Sequence, residues 1–229
     1  MFYTRKCGEI EESDFGSEQT LCGWLQDTRN LGGIAFLQLR DITGVIQLTL
    51  LKKKLDADDY KKWTNINRES IVLVRGIVKE NKEAPGGVEM LPDNLEILNE
   101  AETPLPLGVI DKIDSEIETR LNARYLDLRK SEIASNFQIR AAVSGAVHKH
   151  LRREKFLEVQ TPKIIASATE GGTSLFEMKY FDKTAYLAQS PQLYKQMLMG
   201  GGLERVYEIG PAFRAEEHNT PRHLNEFIS

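Results

Sequence analysis

The sequence predicts an α+β chain of two domains, a small β-barrel followed by a helix and part of an antiparallel sheet. Three observations carry this. Residues 20–100 alternate apolar and polar side chains in short runs separated by glycine-bearing turns, the period of half-buried strands. Residues 134–155 instead repeat apolar side chains about every fourth position, the period of an amphipathic helix. Between the two regions stand Pro104 and Pro106, which remove backbone donors and restrict the residues before them, as a connector does. The resulting division is a barrel over 1–102, a hinge over 103–130 and a second domain over 131–229.

In the barrel, strands are expected at 20–28, 34–40, 45–51, 71–79 and 88–98, with Gly32-Gly33, Thr43-Gly44 and Gly86-Gly87 as turns. Asp56 to Asn65 breaks the alternation and reads as a short helix. Five strands with a helix between the third and fourth is the order of an OB-fold, although short runs suit other small barrels too. In the second domain Ile139, Val143, Val147 and Leu151 form one apolar stripe, the core-facing side of a long helix. His148 and His150 have no ligand partner at metal spacing and read as surface residues.

Composition narrows the function classes. With 30 basic and 34 acidic residues the net charge is −4, which argues against indiscriminate polyanion binding, so a nucleic-acid partner must be recognised by a local patch. The N-terminus lacks the apolar core of a signal peptide, and no run approaches a membrane span, so a cytoplasmic protein without membrane contact is expected. Cys7 and Cys22 are the two cysteines, read as reduced structural thiols with no zinc or disulfide framework.

Several residues can carry chemistry. Alternation puts Phe36 on the same strand face as Gln38 and Arg40, and Gln47 on the face of Thr49. Phe36, Gln47 and Arg29 could form a platform on which a base stacks and is read; equally, Phe36 could cap the barrel. Pro162 reads as a proline in an edge strand, a position that also suits a dimer contact. Thr169-Glu170-Gly171-Gly172-Thr173 is a long polar loop, whether merely solvated or closing over a ligand. Ser190 and Pro191 read as N-cap and first residue of a helix on which Gln192 and Lys195 share a face. Arg214 and Glu216, two apart on a strand, leave one face together, as a phosphate fork with an amine acceptor or as an ordinary ion pair.

Taken together, Thr119-Arg-Leu-Asn-Ala-Arg124, Pro162, the Glu170 loop, Gln189-Ser-Pro-Gln-Leu-Tyr-Lys195 and Arg205 through Phe227 resemble the class IIb aminoacyl-tRNA synthetases, and among them the aspartyl-tRNA synthetases of archaeal type. The resemblance implies an OB-fold anticodon domain, then a class II catalytic domain that activates L-aspartate with ATP and Mg²⁺ and transfers it to tRNA(Asp). By analogy Arg214 holds the α-phosphate and the substrate carboxylate, Glu216 meets the adenine side, Phe227 stacks on adenine, and His223 approaches the outer phosphates, with Arg222 in the same ATP loop. Glu170 and Gln192 contact aspartate, and Lys195 pairs with its side-chain carboxylate. Phe36 and Gln47 match the residues that stack on and read the central anticodon uridine, with Arg29 and Glu89 nearby. Gln26 and Pro85 occupy positions that separate tRNA(Asp) from tRNA(Asn); proline at the second implies that both are accepted. Pro162, the motif 1 proline, implies a homodimer.

Motif 3 and the acids that hold Mg²⁺ have no counterpart in these residues, so no metal ligand is expected within the chain and the 229 residues alone are expected to be inactive. Two other readings fit the same sequence: a non-catalytic tRNA-binding paralogue, and an asparaginyl-tRNA synthetase, whose pocket should lack a cation at Lys195.

Overall fold

The computed structural model describes residues 2–110, 115–167, 175–218, 220 and 222–229. They fall into two compact units, Met1–Phe137 and Gln138–Ser229.

In the first unit β1 (Glu18–Asn30), β2 (Ile34–Arg40), β3 (Val45–Leu51), β4 (Ile71–Glu80) and β5 (Val88–Asn99) close a barrel in the order β1-β2-β3-β5-β4. The strands follow the alternation of the sequence and run one to two residues longer at several ends. Neighbours are antiparallel except β3 and β5, whose short parallel contact at Gln47↔Glu89 and Leu48↔Met90 completes the closure. Leu21, Leu37, Leu39, Leu48, Val72 and Val74 point inward with no exposed surface, each contributing roughly 1.5–3 kcal/mol of apolar burial. The expected helix is α1 (Ala57–Thr64), capped by the Asp56 carboxylate, which accepts from the Asp58 N–H at 2.9 Å; its Tyr60 and Trp63 sink into the barrel core. Gly76 is obligatory: a Cβ there would lie 2.3 Å from the Leu91 carbonyl oxygen.

Beyond the barrel, α2 (Ile117–Asn122) and α3 (Arg124–Asp127) gather around the fully buried Asp127 carboxylate, which accepts from Arg120 Nε at 3.0 Å and from Arg124 Nη1. Burial alone would raise this carboxyl's pKa; the Arg120 hydrogen bond and the charges of Arg120, Arg124 and Lys130 outweigh it and hold the pKa below the ordinary aspartate value. Arg129 reaches back to the barrel. Its Nη1 donates to Glu69 Oε2 at 2.8 Å, while Arg40 Nη2 donates to both Glu69 oxygens at 2.7 and 2.8 Å. The two guanidiniums also lie over the ring of Trp24, at 5.6 Å for Arg40 and 4.7 Å for Arg129.

The second unit contains most of the helix α4 (Ser131–Arg153), which begins in the first. There follow β6 (Leu157–Glu158), β7 (Ile164–Ile165), β8 (Glu177–Tyr180), β9 (Lys183–Leu187), α5 (Gln192–Gly200), β10 (Val206–Tyr207), β11 (Pro211–Phe213) and β12 (Glu226–Ile228). β7-β9-β8 form one small antiparallel sheet, β10 pairs with β6 in parallel, and β11 with β12 antiparallel. Two expectations are corrected here. The apolar stripe of α4 is not packed into a core: among the described residues Ile139 is 61%, Val143 56% and Val147 39% exposed, and Leu151 at its end is half-buried. Amphipathicity records that a face is apolar, not what buries it. Pro162 lies in the connection between β6 and β7, exposed, and not inside a strand; the strands on either side are only two residues long.

Candidate nucleic-acid interface and nucleotide site

On the barrel, the pairing register assembles a cleft to which all five strands contribute. Arg29 pairs with Phe36, Phe36 with Thr49, Gln38 with Gln47, and Gln47 with Glu89. With Leu37 and Leu48 directed into the core, these side chains share the outer face around a hollow of about 690 Å³. Phe36, Gln47, Arg29 and Glu89 all line it, so the four expected base-contacting residues come together.

Glu89 is the fixed point of this cleft. Only 3% of it is exposed, and its carboxylate takes Lys79 Nζ at 2.8 Å, Thr49 Oγ1 at 2.5 Å and Gln47 Nε2 at 3.2 Å. Burial pushes the Glu89 pKa up, but Lys79, Thr49, Asn81 and Gln47 together donate enough to leave it below the ordinary glutamate value. It is therefore an anion at neutral pH, in a cleft that also holds Arg29, Lys54 and Lys79. Such a wall can stack a base, read its edge and neutralise phosphate. Sequence reasoning missed Lys79. Its signal was present in the alternation of β4, but the Lys79↔Glu89 pairing is a matter of register, which local pattern does not reveal.

Gln26 sits at a bulge of β1, where the register slips between Leu25 and Asp27. Its Nε2 donates to Gln38 Oε1 at 2.9 Å and its Oε1 accepts from Arg40 Nη1 at 3.2 Å. Pro85 opens the exposed turn before β5.

In the second unit the expected nucleotide-site residues surround the β11–β12 hairpin. Arg214 follows β11, and its N–H donates to the Asn225 carbonyl at 2.9 Å. Its guanidinium lies 5.3 Å from the ring centroid of Phe227, on β12. Arg214 and Glu216 are not two strand residues on one face, as alternation suggested. β11 ends at Phe213; the Glu216 N–H turns back to the Arg214 carbonyl at 2.9 Å and also meets Asn225 Oδ1 at 3.0 Å. His223 Nδ1 lies 2.5 Å from Thr220 Oγ1, and its ring is edge-on to His218 at 5.8 Å. Arg222 is exposed beside it.

The helix α5 starts at Gln192, one residue later than expected, with Ser190 Oγ accepting from the Gln192 N–H at 3.0 Å. Among the described residues the side chains of Gln192, Lys195 and Arg222 make no hydrogen bond or ion pair. Glu170 lies outside the described residues. A cluster that sequence reasoning did not foresee joins two strand connections: Glu208, between β10 and β11, accepts from Lys163 Nζ at 2.7 Å and from Thr161 Oγ1 at 2.7 Å, both between β6 and β7.

Residues 116–229 match the family model for class II tRNA synthetases (D, K and N), and residues 19–98 match that for the OB-fold nucleic acid binding domain. The chain belongs to the class II tRNA synthetases. Among relatives in this family, the aspartate–tRNA(Asp/Asn) ligase of Methanopyrus kandleri is 56% identical over 214 residues, 93% of this chain and 50% of its own length. The aspartate–tRNA(Asp) ligase of Thermococcus kodakarensis is 50% identical over 226 residues, 99% of this chain and 52% of its own. The chain thus spans about half the length of the curated synthetases it matches. Of solved synthetases, the asparaginyl-tRNA synthetase of Pyrococcus horikoshii complexed with asparaginyl-adenylate superposes with a TM-score of 0.91 at 34% identity, covering 100% of this chain and 52% of that one. Among the described residues no helix is long and apolar enough to cross a membrane.

Proposed function

We propose that this chain carries the anticodon-reading barrel and the first catalytic motifs of a cytoplasmic, homodimeric aspartate–tRNA ligase that charges tRNA(Asp) and also tRNA(Asn). The observation that carries the reading is the barrel cleft, where an aromatic ring, an amide, a buried carboxylate and several cations converge. The aspartate and asparagine anticodons share their first two bases and differ only in the third, so one central-uridine site serves both. Pro85 and the Asp/Asn names of several relatives support the broader substrate range.

On the catalytic side, Phe227 offers a flat ring and Arg214 a guanidinium beside it, the pairing that an adenine and its α-phosphate require. Arg214 neutralises charge on the phosphate as the aspartate carboxylate attacks; Glu216, Arg222 and His223 flank the nucleotide. Gln192 and Lys195, on one face of α5, orient aspartate, and the Lys195 ammonium favours its carboxylate over the asparagine amide. Glu170 completes the amino-acid contacts. Mg²⁺ supplies further neutralisation when bound, but among the described residues no three His, Cys, Asp or Glu side chains gather to hold it.

The test is binding of fluorescent anticodon hairpins to the purified chain. Aspartate and asparagine hairpins should bind alike and more tightly than a hairpin of unrelated anticodon, and Phe36→Ala should weaken both by about 5-fold to 100-fold, the loss of one stacked base. Equal binding of the unrelated hairpin would refute the reading.

A further inference from the structure

A line of hydrogen bonds leaves the cleft and ends in the hinge. It starts at Gln38, which lines the hollow. Gln38 Oε1 accepts from Gln26 Nε2 at 2.9 Å, and Gln26 Oε1 accepts from Arg40 Nη1 at 3.2 Å. Arg40 Nη2 donates to both oxygens of Glu69 at 2.7 and 2.8 Å, and Glu69 Oε2 also accepts from Arg129 Nη1 at 2.8 Å. Arg129 lies between α3 and α4, two residues before the helix that continues into the second unit. The wall of the cleft is thus joined, bond by bond, to the root of that helix.

Glu69 can only accept, and Arg40 and Arg129 can only donate, whereas the amides of Gln26 and Gln38 can present either oxygen or nitrogen. Because Arg40 must donate, Gln26 turns its oxygen toward it and its nitrogen toward Gln38. The converse also holds. Whatever keeps Gln38 Oε1 directed at Gln26 keeps Gln26 in place, and Arg40 then retains the acceptor that steadies its grip on Glu69. Two features allow the line to loosen. Arg40 Nε is buried and has no hydrogen-bond partner among the described residues, so the guanidinium holds a donor unused in this arrangement. Gln26 also borders a second hollow of about 360 Å³, lined with Arg68, Glu69, Thr103 and Pro104, which gives its amide room to turn away. Close-packed side chains lack such an alternative.

We propose that this line couples the cleft to the hinge: RNA that holds Gln38 from the cleft side fixes Gln26 and Arg40, and so secures Arg129 to Glu69. The shared side chains need to be ordered only once, so RNA binding and attachment of the hinge favour each other. By linkage the effect is reciprocal: loosening Arg129 from Glu69 lowers the affinity for RNA by the factor with which RNA strengthens that attachment. Gln26, Arg40, Glu69 and Arg129 are positioning residues, and none of them needs to touch RNA.

This coupling rests on the anticodon reading above, and the experiment distinguishes the failure of one from that of the other. A fluorescent hairpin with the aspartate anticodon is titrated against the wild-type chain, Arg129→Met, Gln26→Leu, the double variant and Lys130→Met. Arg129→Met leaves Glu69 with Arg40 as its partner. It should weaken binding about fivefold, the lower end of couplings between sites, and Gln26→Leu should do the same. The double variant should bind no more weakly than Gln26→Leu alone, because the line is already cut. Lys130→Met removes a neighbouring charge outside the line and should bind as wild type does. The slope of affinity against salt should be the same for Arg129→Met as for wild type, since a lost phosphate contact lowers it by about one. Hydrogen exchange gives the reciprocal half. The amides of Ala123 and of Leu126 through Arg129, all bonded to carbonyls of the hinge, should exchange about fivefold more slowly when wild type is saturated with hairpin. In Gln26→Leu the hairpin should leave them unchanged. Gln26 is half-buried, so its variant reports even where Arg129→Met fails to fold. Full affinity in folded Arg129→Met, additive losses in the double variant, an equal loss in Lys130→Met, a reduced salt slope, or hinge exchange indifferent to the hairpin each overturns the coupling and leaves the anticodon reading standing. Wild type that does not bind the hairpin overturns the reading itself.

Discussion

Replacing Glu69 by alanine should destabilise the first unit by about 3 kcal/mol. Its carboxylate, 3% exposed at the side chain, is shared by Arg40, 10% exposed, and Arg129, 20% exposed. Removing one partner of a buried pair leaves an uncompensated charge, at a cost of about 3–5 kcal/mol. The lower end applies because Arg40 keeps its bond to Gln26 and Arg129 can regain water. Glu69 has φ of 66°, a conformation costly to any residue with a Cβ. Alanine bears the same backbone cost, so the change isolates the carboxylate. Unfolding entropy of about 2.1 cal/mol/K per residue over the 137 residues of the unit gives about 0.29 kcal/mol/K, so 3 kcal/mol lowers Tm by about 10 °C. Tryptophan fluorescence during thermal unfolding is the assay, since Trp24 and Trp63, the two tryptophans, both belong to this unit. A fall of less than about 3 °C would show that both guanidiniums rehydrate freely and that the cluster is held by packing instead.

Two further predictions concern charge and thiol chemistry. Because the Asp127 pKa is depressed on folding, its carboxylate stabilises the protein fully above the unfolded value near ~3.9 and loses that contribution as pH falls through the lower folded value. Asp127→Asn should therefore be less stable than wild type by a constant amount from about pH 6 to 8, with the gap closing below about pH 4 in urea titrations; a gap that widens in acid would contradict the assignment. Burial and the nearby Asp41 charge push the Cys7 thiol up, and Cys22 moves in the same direction. Both should resist a disulfide reagent at pH 8 in the native protein and react at once in denaturant; rapid native labelling of Cys7 would refute its burial.

How much of this could be read from the sequence differs between the two units. The barrel strands were legible because alternation and turn residues are local signals, and Phe36, Gln47, Arg29 and Glu89 meet in the structure as expected. What the sequence could not display was register. The Lys79–Glu89 pair and the bond between Glu69 and Arg129, 60 positions apart, depend on which strand lies beside which. In the second unit the periodicity of α4 identified a helix and misjudged its surroundings. Arg214 and Glu216 were assigned by strand alternation, yet the hairpin strand is three residues long and ends before them. Short strands offer too few residues for a period to be tested.

The Glu69 cluster has a practical consequence for anyone who wishes to transplant the barrel. A graft cut after residue 102 would carry Trp24 with one guanidinium instead of two, and Glu69 with half its counter-charge. The transferable piece is the barrel together with the segment through Arg129. Chimeras joined at the proline connector should inherit a weakened barrel even when the strands that line the cleft are copied without change.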